Sequence, residues 1–559
     1  MMQKYRCLMT AAIMAATVVA APVLAAENPS PAQTMHRNII FVLVDDLRFD
    51  GMGFLQHELH TPNIDALARG GTYFPNAVVS SSLCSPSRAT ILTGQTARNH
   101  RVVDNNSSSE DGLIFFPQYL QRDAGYQTAF FGKWHMGSAT DAPRPGFDKW
   151  VSFKGQGTYL PTDGIPPALA KQGVVQTLNV DGTVVPRKGY ITDELTDYAM
   201  DWLENGRDKS KPFFLYLSHK AVHSDPIPPT RYKDQYANTT FKLPASMADT
   251  PENRKGKPMW VQNQRNSWHG VDFFYNQNKT MEDYLKDYYA TLSGVDDSLG
   301  RIMSYLHQNN LDKNTMVVFY SDNGFLIGDH GLIDKRNAYE GSVRVPMVVY
   351  APGMIPAGVT NPVLVRNLDL APTFLDVAGL SKPQQFEGVS VLPVATGKVK
   401  PSEWKNVDFV YEYFWEWTFP MTPTTFAIER DRLKYIQYHG VWDIEELYDL
   451  SNDPDEMNNL IDDPAYFAKK RELRHALFQQ LGNTAGNHDI PYTERTSEGI
   501  VRRDKNGVGA APFPDRWLVE PNRPDRLNGI FADTPLKRQK DEAGLPYFPS
   551  MEALEKAPK

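Results

Sequence analysis

The stretch Asn38-Ile39-Ile40-Phe41-Val42-Leu43-Val44-Asp45-Asp46 (NIIFVLVDD) decides the fold. Six apolar residues follow one another without a polar interruption. A half-solvated strand alternates apolar with polar residues, whereas an unbroken short run of this kind marks a strand buried on both faces of a parallel sheet. The run stops at two adjacent carboxylates, which the strand therefore delivers at its C-terminal end. Three more stretches behave alike: Thr128 to Phe131 runs into Gly132-Lys133-Trp134-His135, Phe213 to Leu217 into Ser218-His219-Lys220, and Met316 to Tyr320 into Ser321-Asp322-Asn323. Ligand sites of open α/β sheets form outside the carboxyl ends of the strands, so these strand ends nominate one pocket.

Helices fill the intervals. Tyr288, Leu292, Val295, Leu299, Ile302 and Leu306 recur at spacings of three and four, a core-facing stripe with a packing role. Residues 224–279, rich in proline, asparagine and lysine, read as a long surface excursion near the His219 strand end. After a last helix in Asn367 to Gly379 the texture changes to short strands with turns, then a helix carrying Phe467, Leu473, Leu477 and Leu481. The expected fold class is α/β: a large, mostly parallel central sheet flanked by helices at 27–399, and a smaller C-terminal α+β subdomain at 400–485. A proline-rich, charged extension follows at 486–559.

The 559 residues carry a formal charge of −8. That sign argues against nucleic acid or an anionic membrane surface as a partner, since both select a basic field. Residues 1–26 read as a secretory signal peptide: Lys4 and Arg6, an apolar run from Met9 to about Ala21, then small residues at Ala25 and Ala26. The run is shorter than the ~20 residues a membrane span needs, and no later run is long enough. The protein is therefore expected in the periplasm or outside the cell. Cys7 would leave with the peptide, stranding Cys84 as a lone thiol in an oxidising compartment.

The strand-end acids Asp45, Asp46 and Asp322, with Asn323, offer only oxygen, which suits Ca²⁺ or, less well, Mg²⁺, and not zinc. Any one Asp in such a place is by itself an ordinary polar cap; adjacent pairs on separate buried strands are not. Lys133, His135, His219, Lys220, His223 and Lys335 add a cationic group that fits a phosphate- or sulfate-like oxyanion beside a metal. His219 and His223 also have a zinc-like spacing, but no thiolate or further histidine lies close by in sequence. In Ser81 to Gly94 (SSLCSPSRATILTG), Cys84 precedes Arg88 by four residues. A phosphatase loop has more intervening residues and a glycine-rich cradle, and Pro86 interrupts this one.

Cys-Ser-Pro-Ser-Arg followed by Thr-Gly instead resembles the sulfatase signature, in which Cys, Pro and Arg are read by a maturation enzyme that oxidises the thiol to an aldehyde, formylglycine. VLVDDLR, GYQTAFFGKWH, SHKAVH and SDNGFLIGDHGLIDKRNAYEGSVRVP resemble the same family in the same order, and ELYDLSNDPDEMNNL resembles its C-terminal subdomain. The chain resembles type I sulfatases of the alkaline-phosphatase-like superfamily. The resemblance implies that Asp45, Asp46, Asp322 and Asn323 hold Ca²⁺, with the group made from Cys84 completing its shell. It implies that Arg88 steadies the formylglycine, that Lys133 and Lys335 hold sulfate oxygens, and that His135 and His223 transfer protons. The hydrated aldehyde has two hydroxyls, one to attack sulfur and one to expel sulfate afterwards. His219, His330 and Asn105 are expected to contact substrate.

Trp260 to Asn276 and Tyr411 to Asp443 look similar to bacterial polysaccharide sulfatases, which act on glycans such as ulvan or glycosaminoglycans. Their aromatic residues would stack on sugar faces or else pack between the domains. Two alternatives stay open: a phosphonate or phosphate-ester hydrolase on the same scaffold, and a non-catalytic glycan-binding relative.

Overall fold

The computed structural model describes residues 36–482, apart from 107–111, 138–139, 275–278, 406–407 and 442, together with 511, 539–540 and 546–547. The expected signal peptide and nearly all of the extension lie outside the described residues.

Asn38–Val44 is a strand buried along its whole length, in the interior of a ten-stranded sheet. Thr315–Ser321 and Phe213–Ser218 flank it, both parallel. Gln127–Lys133 and Lys149–Phe153 extend the parallel run. Antiparallel partners then take over, Met347–Tyr350 on one side and Thr177–Val180 on the other. The unbroken apolar run is explained by two cores. Ile40, Val42 and Val44 enter one with Tyr288, Leu292 and Val295, while Ile39, Phe41 and Leu43 enter the other with Phe116 and Phe374. Each of these side chains, fully buried, contributes roughly 1.5–3 kcal/mol of transfer free energy.

The helical stripe belongs to a longer element than expected, Met281–Gln308, because the Thr280 side chain accepts the Asp283 N–H and so caps it earlier. All six stripe residues are buried. The 224–279 excursion is not wholly superficial: it contains the helices Pro251–Arg254 and Met259–Gln264, and Trp260 and Val261 are buried. Among the described residues, no helix is long and apolar enough to cross a membrane.

Phe409–Tyr413, Thr424–Arg430, Leu433–His439 and Glu446–Asp449 form a four-stranded antiparallel sheet. One face, with Ile428, Tyr435 and Leu447, takes Leu473 and Leu477 of the helix Phe467–Leu481. Phe467 itself is 40% exposed and lies off that face. The other face, with Tyr411, Ile436 and Tyr448, packs on Ala338, Tyr339 and Val343 of the large domain.

One glycine is dictated by the close approach of two strands. Gly132 lies opposite Ser218 with a φ of 121°, and a Cβ there would come within 1.8 Å of the Ser218 carbonyl oxygen.

Candidate active site

Register brings the strand ends level. Val44 lies opposite Ser321, Leu43 opposite Ser218, and Ser218 opposite Gly132, so Asp45, Asp322 and Lys133 leave the sheet together. Asp46 turns back with a φ of 59°, a left-handed conformation that Asp tolerates better than most residues. Its N–H donates to Asp322 Oδ1 at 3.2 Å, and Asn323 Nδ2 donates to Asp46 Oδ1 at 2.6 Å. Carboxylate oxygens of Asp45, Asp46 and Asp322 lie within 4.8 Å of one another.

Cys84 begins the helix Cys84–Thr93, every residue of which is buried. Its Sγ lies 3.6 Å from Asp45 Oδ1. One turn on, Arg88 reaches across the strand ends. Its Nε donates to Asp322 Oδ2 at 2.9 Å, with Nη2 in ion-pair contact with the same oxygen at 2.7 Å, and its Nη1 donates to Ser218 Oγ at 2.6 Å and to the Lys133 carbonyl. Lys133 Nζ donates to Asp45 Oδ2 and to Gln156 Oε1, and Lys335 Nζ donates to both oxygens of Asp46, at 2.5 and 2.6 Å. These are charge-assisted bonds in a water-excluded site, where they are at their strongest.

Ionisation follows from this arrangement. Burial opposes the charge on Asp45, but Lys133 above all, with Arg88 and Lys335, overcomes it and holds its carboxyl well below the usual range. Asp322 is pushed up to about 7 by burial and by the charge of Asp45, and burial also raises Asp46 against the pull of Lys335. Burial pushes the Cys84 thiol up to about 12 in spite of both lysines. His135 and His223 are held well below the imidazole range by burial, reinforced by Lys133, so both rings are neutral. His223 Nδ1 lies 2.7 Å from the Ser224 carbonyl, which turns Nε2 toward Asp46 Oδ2 at 3.7 Å.

A divalent cation fits these residues. The three carboxylates are matched in charge by Arg88, Lys133 and Lys335, so a dication and a doubly charged oxyanion could enter together without changing the balance. Asn323 Oδ1, moreover, is buried beside the carboxylates without a hydrogen-bond partner, the state of a ligand atom awaiting an ion.

The three residues expected to contact substrate are each held by protein partners. His219 does not reach the cluster: its N–H continues the sheet to the Leu43 carbonyl, and its fully buried ring meets Ser298 Oγ at 3.2 Å on the long helix. His330 packs its ring on Tyr339 at 4.3 Å and lines a cleft with Arg254, Lys257 and Arg265, apart from the carboxylates. Asn105 is buried, and its Oδ1 accepts the Ser85 N–H at 3.0 Å, supporting the Cys84 helix.

His219 carries a prediction of its own. Burial pushes its pKa down to about 3 from an ordinary 6.5, so the unfolded chain takes a proton that the fold refuses. Its contribution is complete above pH 6.5 and is lost as pH falls toward 3. His219→Gln should lose less stability than wild type between pH 7 and 5, read from urea midpoints. Equal losses would place the pH dependence elsewhere.

Several supporting residues escaped sequence reasoning. Gln156 carries no motif of its own, and Ser218 opens SHKAVH without any role being legible there. Tyr288, assigned to packing, donates its hydroxyl to the Asp46 carbonyl at 2.6 Å and accepts the Arg48 N–H at 3.0 Å. A tyrosine in an apolar stripe is the available signal, since its buried hydroxyl requires a partner. Asn367 donates to Ser87 Oγ at 3.0 Å and fixes the outer side of the Cys84 helix.

A mostly parallel sheet that gathers carboxylates, lysines and one buried thiol at the carboxyl ends of its central strands defines the alkaline-phosphatase-like class of hydrolases. Within that class the assignment is narrower. The Sulfatase family matches residues 37–380, and the chain belongs to that family and is a sulfatase. Residues 328–483 match the C-terminal region of N-sulphoglucosamine sulphohydrolase. The chain is 33% identical over 507 residues to an N-acetylglucosamine-6-O-sulfatase of Bacteroides thetaiotaomicron, covering 80% of this chain and 87% of that protein. It is 28% identical over 487 residues to the N-acetylglucosamine-6-sulfatase of Homo sapiens, covering 77% and 82%. A solved structure of a protein in complex with its substrate D-glucosamine-2-N,6-O-disulfate superposes with a TM-score of 0.72 at 29% identity, covering 81% of this chain and 99% of that one.

Proposed function

We propose that this sulfatase removes sulfate from a sulfated saccharide, with a 6-O-sulfated glucosamine unit of glycosaminoglycan type as its substrate, using a formylglycine made from Cys84. The observation that carries the mechanism is the setting of Cys84: first residue of a buried helix, 3.6 Å from Asp45, with Lys133 on the same carboxylate. Formylglycine supplies a hydrated aldehyde as nucleophile, and Ca²⁺ held by Asp45, Asp46, Asp322 and Asn323 supplies its acidification. The chain's own residues do the rest. Lys133 and Lys335 hold the sulfate oxygens and oppose the charge that grows there. Arg88 fixes Asp322 and Asp45 in place. His135, buried and neutral, accepts a proton. The leaving sugar oxygen takes its proton from Lys335, which is cationic as it stands, or from His223 once that ring has gained one; of the two histidines His223 is the more open, at 15% exposure.

The saccharide reading draws on the relatives, whose names specify N-acetylglucosamine 6-sulfate, and on the wall beside Lys335. Arg336 bonds Asp334 at 2.6 Å and lies over the Phe419 ring at 3.9 Å, while His269 stacks on the same ring at 4.5 Å. Fixed polar groups beside an aromatic face suit a sugar. The relatives favour a glycosaminoglycan-type amino sugar over ulvan. The reading carries with it export through residues 1–26 and a maturation enzyme as partner.

Two measurements on exported protein test it. The tryptic peptide Gly70–Arg88 should show the sulfur of Cys84 replaced by an aldehyde oxygen. The same sample should release sulfate from 6-O-sulfated N-acetylglucosamine and from no phosphate monoester at a comparable rate. Release from simple aryl sulfates alone would sink the saccharide assignment, and preferential phosphate release would favour the phosphoesterase alternative.

A further inference from the structure

The sequence motif Glu446 to Leu460 (ELYDLSNDPDEMNNL) lies in the C-terminal subdomain and contributes nothing to the carboxylate cluster, yet its two glutamates Glu446 and Glu456 are fully buried, and burial raises both carboxyls, Glu456 to about 7. Buried carboxyl groups are kept only where partners satisfy them; here Lys434, Tyr438 and Tyr448 of the C-terminal sheet share that task with one segment of the large domain. Glu456 Oε2 accepts the Glu340 N–H at 2.7 Å, and Glu456 Oε1 accepts Lys434 Nζ at 3.0 Å. Lys434 Nζ in turn donates to the Ala338 carbonyl at 2.9 Å and to Glu340 Oε1 at 2.6 Å. Glu446 Oε2 accepts the Tyr339 hydroxyl at 2.7 Å. Nearer the site, Arg336 Nε donates to Glu416, which also accepts the Tyr413 hydroxyl at 3.0 Å.

Residues 336–340 are thus tied to the antiparallel sheet at Arg336, Ala338, Tyr339 and Glu340. Lys335, at the head of this segment, alone points the other way, onto Asp46. Arg336 has a φ of 76° and Asp334 of 110°, so the chain on both sides of Lys335 is held in a conformation that it would not keep unaided.

We propose that Lys434, Glu456 and Glu446 act as a hydrogen-bonded latch by which the C-terminal sheet positions Lys335 for catalysis. They are positioning residues: none touches substrate, and each acts through the turn that carries Lys335. This rests on the reading above that Lys335 holds the sulfate, and the latch is tested apart from that reading.

In the matured full-length protein, Glu456→Gln keeps an acceptor for the Glu340 N–H and removes the second oxygen, which accepts from Lys434. Hydrogen exchange read by mass spectrometry should rise at least tenfold across 334–343 and stay unchanged in Asn38–Val44 and Thr315–Ser321. For sulfate release, kcat should fall about tenfold or more with KM within twofold to threefold, and Lys434→Arg should stay close to wild type. If Glu456→Gln fails to fold, the double variant Glu456→Gln/Lys434→Gln, which strands neither of these groups, should show the same exchange signature. A folded variant with wild-type exchange at 334–343 overturns the latch. A rise in exchange with unchanged kcat overturns its catalytic role. Wild-type protein inactive on every sulfate ester would count against the proposed function, while the exchange measurement would still decide the latch.

Discussion

Cys84→Ala should abolish sulfate release, by a factor on the order of 10⁴ to 10⁶, the loss expected when a nucleophile is deleted and only binding and charge stabilisation remain. The protein should stay folded. The Cys84 side chain is small and its one polar contact is a long one, 3.6 Å to Asp45, so its removal should cost about 1 kcal/mol. A variant with unchanged melting temperature and no turnover separates chemistry from structure more sharply than any other substitution in this site. Retention of even a hundredth of wild-type activity would mean that the attacking group comes from elsewhere, and the role assigned to the Cys84 helix would fall.

Arg88→Met is expected to have the largest effect on stability. The guanidinium is 1% exposed and is the shared partner of Asp322, Ser218 and the Lys133 carbonyl, with Asp45 at 3.9 Å. Methionine fills much of the volume but leaves Asp322 buried without its cation. Breaking a buried pair from one side costs roughly 3–5 kcal/mol, more than the pair itself is worth. Because Arg88 also belongs to the motif expected to guide maturation, the comparison belongs in the Cys84→Ala background, where maturation cannot differ. Urea unfolding at neutral pH should show a clear fall in midpoint. An unchanged midpoint would mean that Asp322 is compensated by another partner and that Arg88 is dispensable to the architecture.

Much of this site was legible because strand ends are legible. The apolar run at Asn38 ends at Asp45 for the same reason that the Met316 run ends at Asp322: the core stops there, and the register sets the two ends side by side. Helix Met281–Gln308 was visible through its stripe, and only its start was misplaced, since a threonine cap is a weak local signal. The histidines were harder. His219 and His223 belong to one motif and look equivalent as letters, but His219 still follows the sheet and turns its ring inward to Ser298, while His223 comes after the turn. A side chain's face depends on where pairing ends, and composition does not record that. Arg336, Glu416 and the latch glutamates were unreadable for another reason. Their partners lie on a different sheet, and single charged residues look like surface until the fold shows what they face.

The complete burial of the Cys84 helix bears on the order of events in synthesis. Ser87 meets Asn367 across 280 residues, and Ser82 meets Tyr411 across 329. The sheet cannot close over Cys84 until those partners have been made. At ~5–20 residues per second, the thiol spends roughly 15 to 65 seconds on a nascent chain that lacks the means to hide it. Any enzyme that must handle Cys84 works within that interval or on a chain kept unfolded for export, and afterwards the fold itself denies access. If Cys84 is converted as the proposed function requires, conversion and folding compete in time, and the long sequence separation across the central sheet gives conversion its head start.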